Sequence, residues 1–309
     1  MFLYDEDSQY CYFNPNSWET SDQYFLIGVV FGLAIYNSTI LDVPLPHFAF
    51  RKLLAAGTGP AQGTVPRPGI NYTLEDLAEY RPRLAKSLKD ILDYEGDVES
   101  TFSLDFVIDV DRYGASQTIA LCPGGESKPV TNANRREYVD LYTRYLLEVS
   151  VTRQFEPFKR GFFTVCDGAA LSLFRPEEIE LLVRGSDEPL DVSTLRAVAE
   201  YENWGGSQKD KDPSETETTV QWFWETFERA TPRDQRKLLA FITASDRIPA
   251  MGAATLVIKL SCLGDDNSGR LPIARTCFNT LSLCRYGTRE ELERKLWTAV
   301  HESEGFGLK

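Results

Sequence analysis

The sequence predicts an α+β chain folded as two lobes, and three observations carry that reading. Several stretches place apolar residues at helical spacing, and one stretch alternates with a period of two. A short polar segment with Gly and Pro separates two regions of strong periodicity. At 309 residues the chain is long enough to bury one or two substantial cores.

The elements follow in order. Asp22 to Asn37 is apolar nearly all round, the pattern of a helix enclosed by other elements. Residues 57 to 69, GTGPAQGTVPRPG, are rich in Gly and Pro and read as a loop. A helix over Arg83 to Leu92 puts Leu84, Leu88, Ile91 and Leu92 on one face. Phe102, Leu104, Phe106, Ile108 and Val110 then alternate with other residues as in a strand with one buried face, and Gln117 to Leu121 offers a hairpin partner. Thr131 is an expected N-cap for a long amphipathic helix carrying Tyr138, Leu141, Tyr142, Tyr145, Leu146 and Val149. The polar segment RGSDEPLD, Arg184 to Asp191, is the expected hinge. Beyond it, Asn203 to Thr219 reads as a polar loop, and Thr231 with Pro232 as a cap and first-turn pair for a helix containing Leu238, Leu239, Phe241 and Ile242. Thr288 and Glu291 form a capping-box pair before Leu292, Leu296 and Val300, and Gly305 ends that last helix.

Composition excludes several classes of function. With 33 Lys and Arg against 46 Asp and Glu, the net charge is −13 and no basic run compensates it. Nucleic acid and anionic membranes both require a basic patch, so neither is an expected partner. The longest apolar stretch, Tyr24 to Tyr36, is too short and too interrupted by glycine to span a bilayer, and the N-terminus lacks a leader pattern. Six cysteines, at 11, 122, 166, 262, 277 and 284, show no Cys-x-x-Cys pairing and no nearby histidines. No metal site, cofactor or disulfide framework is expected, and free thiols fit the reducing cytoplasm or nucleus.

Cys277 stands out because of its neighbours. A cysteine in an apolar segment is ordinarily a small buried side chain. Here it lies in LPIARTCFNTLSLCRY, on a loop between two packed elements. Leu271, Pro272, Thr276, Cys277, Phe278 and Asn279 resemble, position by position, the catalytic loop of the HECT-type ubiquitin-protein ligases. The blocks YFNPNSWET, LIGVVFGLAIYNSTILDV, SLKDILDYEGDVE, KPVTNANRREYVDLY, FKRGFFTV and LFRPEEIELLVRGS extend the resemblance over the whole chain. It is similar above all to the branch containing a ligase hijacked by a papillomavirus oncoprotein, and to that ligase's fungal relatives. Against that pattern, the chain begins part-way through the first lobe.

The resemblance implies a bilobal fold. A mostly helical N-lobe would cover residues 1–184, with a small β-containing subdomain at about 80–160 that binds the conjugating enzyme. A hinge at 185–190 and a smaller α/β C-lobe over 191–309 would follow. It implies that Cys277 accepts ubiquitin as a thioester from a ubiquitin-conjugating enzyme and passes it to a substrate lysine, with Thr276, Asn279 and Phe306 supporting transfer. The groove for the conjugating enzyme would be lined by Leu84, Ser87, Leu88, Ile91, Phe102, Leu104 and Tyr138, although the periodicity of the apolar ones equally predicts core packing. Many family members carry histidine where this chain has Arg275, a guanidinium that cannot accept a proton at neutral pH. Cys284, where the family commonly has proline, reads as an incidental thiol.

Two other readings stay open at the level of sequence. One is a catalytically inactive binding or scaffold fragment. The other is a cysteine hydrolase, which needs an imidazole beside the thiol, and the only histidines are His47 and His301. Thioester exchange is the easier task for so histidine-poor a chain, because one thioester replaces another of similar energy.

Overall fold

The computed structural model describes residues 1–57, 70–166, 171, 173–205, 212–265 and 269–303. It divides into two compact units, one comprising Met1–Asn37 and Val43–Glu180, the other Ser38–Asp42 and Leu181–Lys309. No described helix is long and apolar enough to cross a membrane.

In the first unit, strands β1 (Phe2–Tyr4) and β2 (Cys11–Phe13) form an antiparallel hairpin. Helix α1 (Ser21–Tyr36) starts at Thr20, whose hydroxyl accepts from the Gln23 backbone while the Gln23 side chain returns to the Thr20 backbone. It runs alongside α7 (Thr152–Val165). Glycines set how close they come: a Cβ on Gly28 would lie 1.9 Å from the Phe158 carbonyl oxygen, and one on Gly161 would lie 1.9 Å from that of Phe25. The aromatic core grows around this crossing, with Phe13 ringed by Phe2, Tyr24, Phe155 and Phe158 at centroid distances of 5.2, 6.0, 5.9 and 5.2 Å. The expectation that α1 is enclosed on all sides fails on one face, where Leu26, Val30, Leu33 and Tyr36 are exposed. Close packing uses its glycine face, and no described element covers the other.

Helices α2 (His47–Gly57), α3 (Leu74–Tyr80), α4 (Pro82–Asp93) and α5 (Val98–Phe102) follow. The expected strand from Phe102 starts late. Phe102 ends α5, Ser103 takes a left-handed conformation at φ 48°, and only β3 (Val107–Arg112) pairs with β4 (Ala115–Ala120). Alternation alone cannot register that turn. Helix α6 (Arg135–Arg144) begins at Asn134 rather than Thr131, since the Asn134 side chain bonds back to the Thr131 N–H and the Pro129 carbonyl. Residues Tyr145–Val149 then form a π-helical turn. Such a turn inserts an extra residue, which rotates the buried stripe. Leu147 is therefore fully buried and Val149 exposed, against the pattern read from a regular helix. The Leu147 carbonyl accepts from the Tyr12 hydroxyl at 2.9 Å and the buried Lys52 ammonium at 3.2 Å. Burial pushes Lys52 down to about 8, so it remains charged at neutral pH while its ammonium sits over the Phe155 ring.

Helix α8 (Pro176–Arg184) passes from the first unit into the second. The segment 185–190 is fastened to the second unit. Ser186 and Ile248 exchange backbone hydrogen bonds, and Arg236 donates to the Asp187 and Glu188 carbonyls. There α9 (Val192–Ala197), β5 (Glu200–Glu202), α10 (Pro213–Thr216), α11 (Thr218–Arg229) and α12 (Pro232–Thr243) precede β6 (Lys259–Asp265), β7 (Ile273–Arg275), β8 (Thr280–Arg285) and α13 (Arg289–Ser303). The expected loop from Asn203 to Thr219 thus already contains α10 and the start of α11. The sheet order is β5-β6-β8-β7, the first three parallel and β7 antiparallel to β8. Thr231 and Thr288 cap their helices as expected, each hydroxyl accepting from the backbone N–H three residues on. Phe223, Trp224, Leu239, Leu281, Leu292 and Leu296 are among the fully buried residues of this core.

Gly28→Ala or Gly161→Ala must push the two backbones apart, and each is expected to cost about 3 kcal/mol in chemical unfolding. Gly205→Ala, which meets nothing within 4 Å, serves as the neutral control. A pH effect should come from His47, whose ring lies between Glu79 and Glu180, the latter at 2.8 Å. Burial alone lowers its pKa, but the hydrogen bond to Glu79 and the charges of Glu180, Glu79 and Glu177 together raise it above 6.5. The wild-type excess in Tm over His47→Gln is therefore expected in full below pH 6.5, disappearing as pH rises through the raised value.

Candidate functional site

The antiparallel pairing of β7 with β8 sets Arg275 opposite Thr280, leaving a four-residue connection. Thr276–Phe278 fold into a single 3-10 turn, and Asn279 reverses the chain from a left-handed conformation at φ 49°, ψ 38°. Three carbonyls of the connection are taken up by defined donors. Asn279 N–H donates to the Thr276 oxygen at 3.2 Å, Thr280 Oγ1 to the Phe278 oxygen at 3.2 Å, and Lys259 N–H to the Asn279 oxygen at 2.9 Å. Helix α12 packs against β7 and the turn.

Above this anchored base, Cys277 is exposed and Phe278 is 69% exposed. Cys284 and Cys262, by contrast, are buried in β8 and β6. A thiol in this setting can reach a bulky electrophile such as another protein's thioester, while its backbone is held by a sheet on one side and a helix on the other. Arg275 is exposed and forms no ion pair among the described residues. The Lys259 side chain pairs with Glu200 at 2.7 Å and Glu202 at 3.6 Å, joining β6 to β5 beside the turn. Among the described residues neither histidine hydrogen-bonds to Cys277: His301 is exposed and stacks on Trp297, and His47 is engaged by carboxylates within the first unit. Nor does any described cluster of His, Cys, Asp and Glu have the makings of a metal site.

Of the residues expected to act in transfer, Cys277, Thr276 and Asn279 come together on this turn, and Phe306 lies outside the described residues. Sequence reasoning missed Lys259 and Thr280, which hold the turn through its carbonyls. Lys259 is brought there by the parallel pairing of β6 with β8, whereas Thr280 bonds to a carbonyl only two residues back.

The residues expected to receive the conjugating enzyme divide by burial. Leu88, Ile91 and Tyr138 are buried, with the Tyr138 ring 5.5 Å from Phe106 and 5.7 Å from Tyr142, and burial pushes its hydroxyl up to about 12. Leu84, Phe102 and Leu104 are half-buried, and Ser87 is exposed with its hydroxyl donating to the Arg83 carbonyl. Exposed carboxylates of Asp93, Glu95, Asp97, Glu99 and Asp105 cluster in sequence around Phe102.

The chain is 39% identical over its whole length to a probable E3 ubiquitin-protein ligase HECTD2 of Mus musculus and covers 38% of that protein. It is 36% identical over 99% of its length to a probable E3 ubiquitin-protein ligase mug30 of Schizosaccharomyces pombe, covering 38%. It is 37% identical to a probable E3 ubiquitin-protein ligase HUL4 of Eremothecium gossypii, covering 36%. The chain thus spans less than two fifths of the length of these relatives. The profile of the HECT domain, described as a ubiquitin-transferase, matches residues 1–309, and with an exposed Cys277 on a braced turn, the chain belongs to the HECT-domain family.

Proposed function

We propose that this chain is the catalytic part of a ubiquitin-protein ligase in which Cys277 carries ubiquitin as a thioester. The observation that carries the proposal is the exposed thiol on a turn anchored at both ends, within a chain matched throughout by the HECT domain. In the first step the Cys277 thiolate attacks the thioester carbonyl carbon on a charged conjugating enzyme, whose own cysteine leaves as thiolate. In the second, a substrate lysine amine attacks the new thioester, Cys277 leaves, and an isopeptide bond remains. The first step exchanges bonds of similar energy, so it requires reach and orientation more than strong activation.

Docking of the conjugating enzyme is assigned to the first lobe, residues 1–184, on its subdomain at about 80–160. Half-buried Phe102, Leu104 and Leu84 with Ser87 supply the contact, and Leu88, Ile91 and Tyr138 form the packed floor beneath. The surrounding acidic residues suit a partner with a basic docking face. The thiol belongs to the second lobe, 191–309, and the hinge is assigned to residues 185–190. Ubiquitin, a conjugating enzyme and a protein substrate are the proposed partners. A net charge of −13 disfavours nucleic acid, and six free cysteines suit the cytoplasm or nucleus.

A charging assay tests the first step. Purified chain with activating enzyme, ATP, ubiquitin and a panel of conjugating enzymes is expected to give a thiol-sensitive adduct of one ubiquitin, absent from Cys277→Ala. Folded wild-type protein that forms no adduct overturns the proposal. For docking, Phe102→Ala is expected to slow charging at least ~10-fold with Tm nearly unchanged, because the ring is only half-buried. Tyr138→Ala removes a buried ring and is expected to cost about 3 kcal/mol of stability, so it reports on folding rather than docking. Wild-type charging by Phe102→Ala removes that residue from the groove.

A further inference from the structure

Asn279 has a side chain capable of chemistry and a backbone in an uncommon conformation, and the two point to different roles. If the amide acted on the thioester, substitution by any residue without it would stop transfer. If the backbone matters, tolerance will follow how readily each residue adopts positive φ.

Hydrogen bonding separates these possibilities. The half-buried Asn279 amide makes no hydrogen bond among the described residues, while its backbone makes two, donating to the Thr276 oxygen at 3.2 Å and accepting from Lys259 N–H at 2.9 Å. Both depend on the φ of 49° that ends the 3-10 turn and sends the chain into β8 in register with β6. Asparagine and glycine adopt this conformation most readily, and β-branched residues least. Ala244 ends α12 in the same region at φ 66°, so alanine is tolerated there within this fold.

We propose that Asn279 is a positioning residue for Cys277 that acts through its left-handed backbone and not through its amide. This rests on Cys277 being the ubiquitin acceptor. In physical terms, residue 279 fixes where the thiol sits relative to the sheet, and Lys259 and Thr280 hold the flanking carbonyls in that arrangement.

The test is a series at one position, Asn279→Gly, Asn279→Ala and Asn279→Val. Each variant is assayed for single-turnover charging of Cys277, discharge to free lysine and alkylation of the thiol by iodoacetamide, with Tm as a check on folding. Expected are rates within twofold of wild type for glycine, an intermediate loss for alanine and at least a tenfold loss for valine. The loss should appear in the rate constants and not in the conjugating-enzyme concentration giving half-maximal charging. If valine prevents folding, the glycine and alanine variants decide. Glycine as slow as valine while alkylation stays at the wild-type rate in both would assign the role to the amide and overturn the proposal. Valine at wild-type rates would also overturn it. Wild-type protein that is alkylated at Cys277 but never charged would sink the acceptor reading instead, and the alkylation rates of the same variants would still report whether residue 279 positions the thiol.

Discussion

The first unit depends on a backbone-to-backbone approach. Gly28 of α1 and Gly161 of α7 remove the side chains that would hold the helices apart, each helix filling the space the other's glycine leaves. Close approach turns a weak attraction per atom pair into a large total along two helices. It also fixes where Phe31, Phe155 and Phe158 stand, and with them the pocket that Phe13 fills. The hairpin at the N-terminus, the buried Lys52 and the π-helical turn that receives it are arranged about this core.

The second unit relies on a different constraint. The turn that carries Cys277 lies between two strands whose order in the sheet is not their order in the sequence, since β8 pairs with β6 on one side and β7 on the other. Parallel pairing with β6 delivers the Lys259 N–H to the Asn279 carbonyl. A mobile thiol would lose much of its productive geometry; a braced one keeps it at little entropic cost on binding.

What was legible in the sequence was what local chemistry determines. Thr231 with Pro232 and Thr288 with Glu291 announced their helices, and the later part of the alternation from Phe102 to Val110, with the residues from Gln117, announced a hairpin, whereas the turn at Thr276 to Asn279 was singled out by resemblance and not by local chemistry. What escaped depended on partners distant in sequence or on one irregular residue. Ser103 breaks an apparent strand by turning left-handed, Asn134 displaces Thr131 as the cap, and the π-helical turn exchanges Val149 for Leu147 in the core. The residues expected at the docking site show the same limit: periodicity identified the apolar face of one helix carrying Leu88 and of another carrying Tyr138, but not which of the expected residues are buried and which half-exposed.

Burial of particular lysines has a consequence for any activity that joins ubiquitin to amines. Lys52 is 7% exposed and Lys295 4% exposed, the first held by a hydroxyl, a carbonyl and an aromatic ring, the second beside Glu291 and the Tyr286 ring. Neither amine can present its lone pair to an incoming thioester while the fold is intact. Self-modification would therefore be confined to surface lysines, and conjugation at either of these two would be a mark of chains that had unfolded.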